Sequence, residues 1–411
     1  MVRKDSESSC SSDDSHQAED YTLANDAIVT KYGVAAEITN AALKAVIAAV
    51  KEGAVAVIAA VKEGAVVGEL CDLGDKFILE RTSKLYKKEK GLTKGIAMPT
   101  CISVDNCICH FSPLRSEAPV VLKNGQVVKI DLGTHIDGLI ATAAHTVVVG
   151  ASKTNKVTGK IADLIRGTYD ALEVAVRSLR PDTQNMDITK NIDRVAAEYG
   201  VTPIENMVSH QLERNEIDGE KQIIQNPGEK QRSEVEKVKI EKHEAYAIDI
   251  LFSTGPGKSK DLDTRTTVFK KNESVQYQLK MKASRVFYTE LNKVHGPMPF
   301  SLRGFEEEVK AKMGVVECEK YGLLSGYPVL YEKEGEFVAQ FKATVLVMPN
   351  GLLKITGLPL ETEVYESEAT LKDPELVTIF KSALKPKKKK DAAAKKDAPA
   401  AAAAPAAAKK A

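Results

Sequence analysis

An α/β fold built from two related halves is what this sequence predicts, and three observations carry the prediction. Two apolar runs, 127–132 and 139–144, flank Asp137–Gly138 and read as a β-hairpin. The segment EAYAIDIL at 244–251 repeats the pattern of VVKIDLG at 127–133, an apolar strand with Ile-Asp at its centre. Amphipathic periodicity at 163–178 and 186–199 sets two helices between these strand groups.

Taken in chain order, residues 1–20 are rich in Ser and acid with almost no apolar bulk, which predicts a disordered head. Ser11 and Ser12 precede Asp13-Asp14, a pattern suited to an acid-directed kinase; a solvated tail explains the same composition. Residues 27–68 read as helix and contain a tandem repeat, AVIAAVKEGAV at 45–55 and again at 56–66. Eleven residues are about 20° beyond three whole turns, so the repeat keeps an apolar stripe in phase and adds about 16 Å of helix. The alternative is that the added turns bulge out.

Leu70–Tyr86 predicts a second helix, followed by a basic cluster of Lys84, Lys87, Lys88, Lys90 and Lys94. Residues 95–113 read as strands and loop, with His110 before a turn at Pro113. Beyond the hairpin and its two helices, 206–210 leads into a polar loop to about 242. The segment 265–270 is the expected partner strand of 244–251. Residues 277–321 are helical and basic, with Lys280, Lys282 and Arg285 near the start, and are broken at Gly296–Pro299. Residues 336–348 form a long strand, and 352–356 pair back through Asn350–Gly351. A short helix at 375–384 precedes a Lys/Ala/Pro tail, 385–411, that includes Lys387, Lys388, Lys389 and Lys390.

The formal net charge of +1 hides an acidic head, with seven acids in 1–26, and a basic tail, with nine lysines in 385–411. No run of eighteen apolar residues is present, so no membrane span is expected, and the N-terminus lacks the apolar core of a signal peptide. The six cysteines are scattered and expected to be reduced. Cys107-x-Cys109-His110 has metal-like spacing but no second pair to complete a zinc site. Gly257-Lys258-Ser259 imitates the end of a P-loop, but Phe252 stands where its first glycine belongs. No cofactor is implied.

If 135–138 is the hairpin loop, Thr142 lies directly opposite Asp131. An acid inside an apolar strand needs a partner. A second acid opposite it would make a metal-bridging pair, and here the residue is threonine.

Six blocks decide what this chain resembles: GIAMPTCISVDNCICHFSP (95–113), VVKIDLGTHIDGLIATAAHT (127–146), ENMVSHQL (205–212), IDGEK (217–221), EAYAIDILFSTGPGK (244–258) and EFVAQFKATVLVMP (336–349). In this order they resemble the type II methionine aminopeptidases of the pita-bread fold, and most closely the non-peptidase, proliferation-associated (ErbB-receptor-binding) branch. The resemblance covers about 22–365 and implies a pita-bread domain at 21–384, with a small helical, winged-helix-like insert at about 275–335. Removing one copy of the 11-residue repeat restores the family's spacing. The peptidases hold two metals with two aspartates, a histidine and two glutamates. By resemblance Asp131 matches the first aspartate, Thr142 replaces the second, and His210 matches the histidine. Asp249 stands for the first glutamate and Lys342 for the second, while His110 matches a substrate-contacting histidine.

This set implies a pocket without metal and without aminopeptidase activity, in which Lys342 pairs with Asp131 or Asp249. His110 and His210 then become pocket-wall histidines with satisfied hydrogen bonds. The resemblance also implies binding to RNA and ribosomes, protein partners in growth signalling and transcription, and residence in cytoplasm, nucleus and nucleolus. The segment 375–381 lacks an LxxLL motif, which argues against transferring corepressor contacts. The lysines at 84–94, Lys280, Lys282, Arg285 and Lys387–Lys390 are the candidate phosphate contacts, the first two groups forming one basic face. The rival readings are a peptide- or protein-binding adaptor using the old pocket, and a metallo-aminopeptidase with a relaxed ligand set.

Overall fold

The computed structural model describes residues 21–60 and 64–385. Its centre is a nine-stranded antiparallel sheet. The strands used below are β1 (Lys94–Val104), β2 (Cys107–Cys109), β3 (Val127–Ile136), β4 (Leu139–Val148), β5 (Val208–Leu212), β6 (Gln222–Ile224), β7 (Ala245–Ser253), β8 (Val268–Lys271), β9 (Leu324–Tyr327), β10 (Val338–Met348) and β11 (Gly351–Lys354). The main path runs β1-β3-β4-β10-β7-β5-β6, with β11 paired to β10. The helices are α1 (Asp26–Ala60), α2 (Val67–Ser83), α3 (Gly159–Ser178), α4 (Asn185–Tyr199), α5 (Lys282–Val294), α6 (Glu308–Lys320) and α7 (Pro374–Lys381).

Helices α2, α3 and α4 and most of α1 cover one face of this sheet, and strand alternation makes this possible. Val128, Ile130 and Leu132 on β3 pack against Leu43, Val46 and Ile78 of α1 and α2. Ile248, Ile250 and Phe252 on β7, with Phe341, Ala343 and Val345 on β10, pack against α3 and α4. The intervening residues Asp131, Asp249, Gln340 and Lys342 therefore share the opposite face. These are the two related halves, each a pair of strands backed by a pair of helices.

Two expectations need correction. The hairpin turn is only Asp137–Gly138, because Asp137 adopts φ 56° and Gly138 φ 77°, so Ile136 already pairs with Leu139. Asp131 thus opposes Ala144, and Thr142 opposes Gly133. The slip is two residues, so Thr142 keeps the same face as Asp131 and becomes its diagonal neighbour. The partner of 244–251 is β10, not 265–270, through nine residue pairs from Val338/Ser253 to Leu346/Ala245. A nine-pair ladder outcompetes the short strand β8, which instead joins β9 and Phe300–Ser301 in a separate sheet. Among the described residues one helix segment, Asp26–Lys51, is long and apolar enough to cross a membrane. Half of that window is buried within the protein, as Ala42, Leu43 and Val46 show.

Helix α1 is 35 residues long and runs through the first copy of the repeat into the second. The end of the second copy turns into an extended segment, where Leu122 N–H donates to Ala65 O at 2.9 Å and Val66 bridges Val121. Helices α5 and α6 and the β8–β9 sheet enclose a small core of their own around Phe287, Phe300 and Phe305. Arg303, 1% exposed, ties this insert to the main body. Its Nε reaches Asp72 Oδ1 at 2.8 Å and its guanidinium also binds Asp75 and Ser112.

Candidate functional site

Strand register builds the site. Lys342 on β10 lies directly opposite Asp249 on β7, and on its other side opposite Ala144 on β4. Asp131 reaches the same point from β3, one strand further on. The Lys342 Nζ sits 2.7 Å from Asp131 Oδ2 and 3.1 Å from Asp249 Oδ2. The ammonium therefore pairs with both carboxylates rather than with one.

Asp249 is held from three sides. Gln340 Nε2 donates to its Oδ1 at 2.9 Å and its Oδ2 at 3.1 Å. Its backbone N–H donates to Ser209 Oγ at 2.9 Å, and Gln225 Nε2 donates to its carbonyl at 2.7 Å. Sequence reading missed Gln340, although it lies two residues from Lys342 on one strand and so must share its face. Ser209 and Gln225 have no such signal, because their placement depends on the β5–β7 pairing.

Both histidines line the site. His210 on β5 lies opposite Ala247 of β7. His110 follows β2 at φ 65°, donates from Nδ1 to Pro328 O at 3.2 Å, and meets the Tyr327 ring edge-on at 5.2 Å. The satisfied hydrogen bond expected of His210 is missing at one nitrogen: its Nδ1 is buried with no partner among the described residues, as are Asp131 Oδ1 and Thr142 Oγ1. The Thr142 backbone is well held, its carbonyl accepting from Thr344 Oγ1 at 3.0 Å and Thr356 Oγ1 at 2.5 Å.

Electrostatics follow from burial and charge. Burial works to lower the Lys342 pKa, but Asp131 and Asp249 reverse this and hold it far above its ordinary value. Burial pushes Asp249 up to about 6, against the pull of Lys342. Burial lowers His210 to about 4, helped by Lys342 and Lys270. Burial also lowers His110. At neutral pH Lys342 is therefore an ammonium, and burial keeps the imidazoles of His110 and His210 neutral.

Residues 30–258 match the model of the metallopeptidase family M24. The chain belongs to that family. Within M24, this chain is 44% identical to ERBB-3 BINDING PROTEIN 1 of Arabidopsis thaliana over 92% of both chains. It is 41% identical to Proliferation-associated protein A of Dictyostelium discoideum, over 89% of this chain and 91% of the relative. It is 38% identical to Curved DNA-binding protein of Schizosaccharomyces pombe, over 92% and 95%. Among solved structures, a thermophilic Arx1 superposes with a TM-score of 0.79 at 29% identity, covering 88% of this chain and all of the other. The methionine aminopeptidase of Thermotoga maritima shares the fold at 19% identity, with a TM-score of 0.50 over 81% and 97%.

On the M24 frame the candidate basic residues fall into separate groups. Lys84, Lys87, Lys88 and Lys90 are exposed in the loop after α2, while Lys94 is half-buried and donates to Leu85 O. Lys280, Lys282 and Arg285 sit at the start of α5, where Arg285 donates to Lys280 O at 2.6 Å and Leu279 O at 3.1 Å. The insert is clamped near the N-terminal end of α2 through Asp72 and Asp75, whereas the lysine loop follows its C-terminal end. Twelve helical residues separate Asp72 from Lys84, on the order of 18 Å. The lysine loop thus follows α2 in the main body, while the start of α5 belongs to the clamped insert. Lys387–Lys390 lie outside the described residues.

Proposed function

We propose that this chain is a non-catalytic member of its family that binds RNA and ribosomes. The observation that carries the loss of catalysis is the Lys342 ammonium between Asp131 and Asp249. A pair of divalent metals needs several carboxylates around it. Here two carboxylates and one ammonium sum to −1, and Thr142 offers a neutral hydroxyl. At about 4 Å and an effective dielectric near 20, a like unit charge costs about 4 kcal/mol, so an ammonium opposes a dication by about 8 kcal/mol. The residues present do not fit the family's metals. Metal analysis of the purified chain tests this: two stoichiometric divalent ions, together with release of N-terminal Met from a peptide, would overturn it.

The binding half of the reading rests on charge. The 385–411 tail has nine lysines against Asp391 and Asp397, and no aromatic residue, which suits salt-sensitive, sequence-blind contact with phosphates. The lysine loop after α2 and the start of α5 add two folded basic patches. The name of the Schizosaccharomyces pombe relative, a DNA-binding protein, supports a nucleic-acid partner. In this reading 21–384 is the folded body, 385–411 a phosphate-binding extension, and the chain works in cytoplasm and nucleus, including the nucleolus. Ribosome co-sedimentation at graded salt, with and without 385–411, tests it. Co-sedimentation should fall steeply with salt and with loss of the tail; indifference to both would sink the reading.

A second reading has its own observation. Asp131 Oδ1, Thr142 Oγ1 and His210 Nδ1 lie on the same face of the sheet and are buried without partners among the described residues. They could receive the amine of a peptide held but not cut, making the chain an adaptor. Saturable binding of a short peptide, abolished by N-terminal acetylation, favours this reading; no binding at millimolar peptide removes it.

A further inference from the structure

The two ends of the described chain differ in what surrounds them. At the N-terminal end, the Tyr21 ring lies 3.7 Å beneath the Arg214 guanidinium. Arg214 in turn donates to Asp137 O at 3.1 Å and Asp137 Oδ1 at 3.0 Å, and Lys31 binds the other carboxylate oxygen at 2.6 Å. Asp137 N–H donates to Thr93 O at 2.6 Å, so this turn abuts the 84–94 loop. Tyr86 and Leu92 of that loop pack with Val34, Ala35 and Ile136. Tyr21, the first described residue, and the lysine loop thus sit on the same corner of the molecule.

Their charges are opposite. The twenty residues before Tyr21 carry six acids against Arg3 and Lys4. The 80–94 segment carries six cations against Glu80 and Glu89. Lys84, Lys87, Lys88 and Lys90 are exposed and form no ion pair among the described residues. The nearby acid Asp137 is already taken by Lys31 and Arg214. Twenty residues reach up to about 70 Å when extended, so length is not limiting.

We propose that residues 1–20 dock on the lysine loop at 84–90 and compete there with phosphate-bearing ligands. The contact is an intramolecular ion-pair network whose effective concentration is set by the anchor at Tyr21. Phosphorylation at Ser11 or Ser12 strengthens it, since each phosphate adds about −1.5 to −2 charge. The lysine loop is shared with the nucleic-acid reading above, but the docking stands without it. If the head covers the loop about nine-tenths of the time, the apparent Kd of a competing polyanion is about tenfold weaker.

The test uses a heparin octasaccharide and the full chain, in a buffer of about 0.1 M salt, where exposed charges still act over roughly 10 Å. Neutralising the head (Asp13→Asn, Asp14→Asn, Glu19→Gln, Asp20→Asn) should tighten Kd about tenfold. The same head changes on a Lys87→Ser/Lys88→Ser/Lys90→Ser background should leave Kd unchanged. Zero-length carbodiimide crosslinking of the unaltered chain should join head carboxylates to lysines 84–90. No gain on neutralisation, an equal gain on the lysine-free background, or crosslinks only to 387–390 would each overturn the proposal. All of these results leave the ribosome reading standing, because heparin reports only on the competition.

Discussion

Lys342 and Asp249 face each other as register partners across the β7–β10 ladder, with 3.1 Å between ammonium and carboxylate. Asp131 completes the triad at 2.7 Å. Removing one member of such a buried network leaves uncompensated charge, which costs about 3–5 kcal/mol. Lys342→Met should lose that much in urea unfolding at pH 7. The loss should shrink at pH 5, where protonation relieves the stranded carboxylates. Lys342→Met with Asp131→Asn and Asp249→Asn should recover most of it. A single variant as stable as the parent would show that the triad contributes nothing.

His145 provides a pH prediction with a definite sign. It is buried on β4, edge-on to Phe341 at 5.0 Å, and burial lowers its pKa to about 3. The folded state therefore binds fewer protons here than the unfolded state between the unfolded pKa near 6.5 and the folded value. Its contribution is intact above pH 6.5 and is lost as pH falls toward 3. Between pH 7 and pH 5 the loss is about 2 kcal/mol. His145→Phe should lack this part of the acid slope, which chemical denaturation at the two pH values will measure. His135, His210 and His295, each lowered to about 4 by burial first, add slope of the same sign. Asp249, raised to about 6, opposes them over its own narrower window.

Arg303 should control how firmly the insert is held. Arg303→Met strands the Asp75 Oδ2 oxygen, leaves Asp72 to Arg115 alone and frees Ser112 of its donor. Hydrogen exchange across 275–330 should rise by at least tenfold while β3 and β10 keep their protection. Uniform exchange across the whole chain would instead mean that Arg303 acts on global stability.

The repeat should be dispensable. Residues 45–55 and 56–66 are identical, so one copy can supply both the buried helix residues Val46 and Val50 and the extended end that meets Val121 and Leu122. Deleting 56–66 should leave the melting temperature within a few degrees and the circular dichroism spectrum close to that of the parent. Loss of cooperative melting would show that the added turns hold the fold.

The sequence made the strands and helices legible wherever the pattern was local. Alternation marked β3, β4, β7 and β10, and period 3.6 marked α3 and α4. What it did not reveal were relations that depend on distant partners or on a single torsion. The pairing of β7 with β10 spans about ninety residues and leaves no local trace. The register of β3 and β4 turned on whether Asp137 would accept a positive φ. The site was legible in part, because Asp131 and Asp249 stand out as acids in apolar strands. Lys342 and Thr142 became informative only against the pattern of a family. Gln340 was within reach of strand alternation, whereas the Arg303 clamp joins residues more than two hundred positions apart and left no local trace.

The lysine triad also acts as an evolutionary ratchet. Lys342→Glu alone would crowd a third carboxylate against two buried ones with no cation among them, and a metal could relieve that only if Thr142 also became acidic. The single step Lys342→Glu therefore passes through a chain less stable than this one. Selection on folding alone then disfavours an acid at position 342, whatever work the surface takes on.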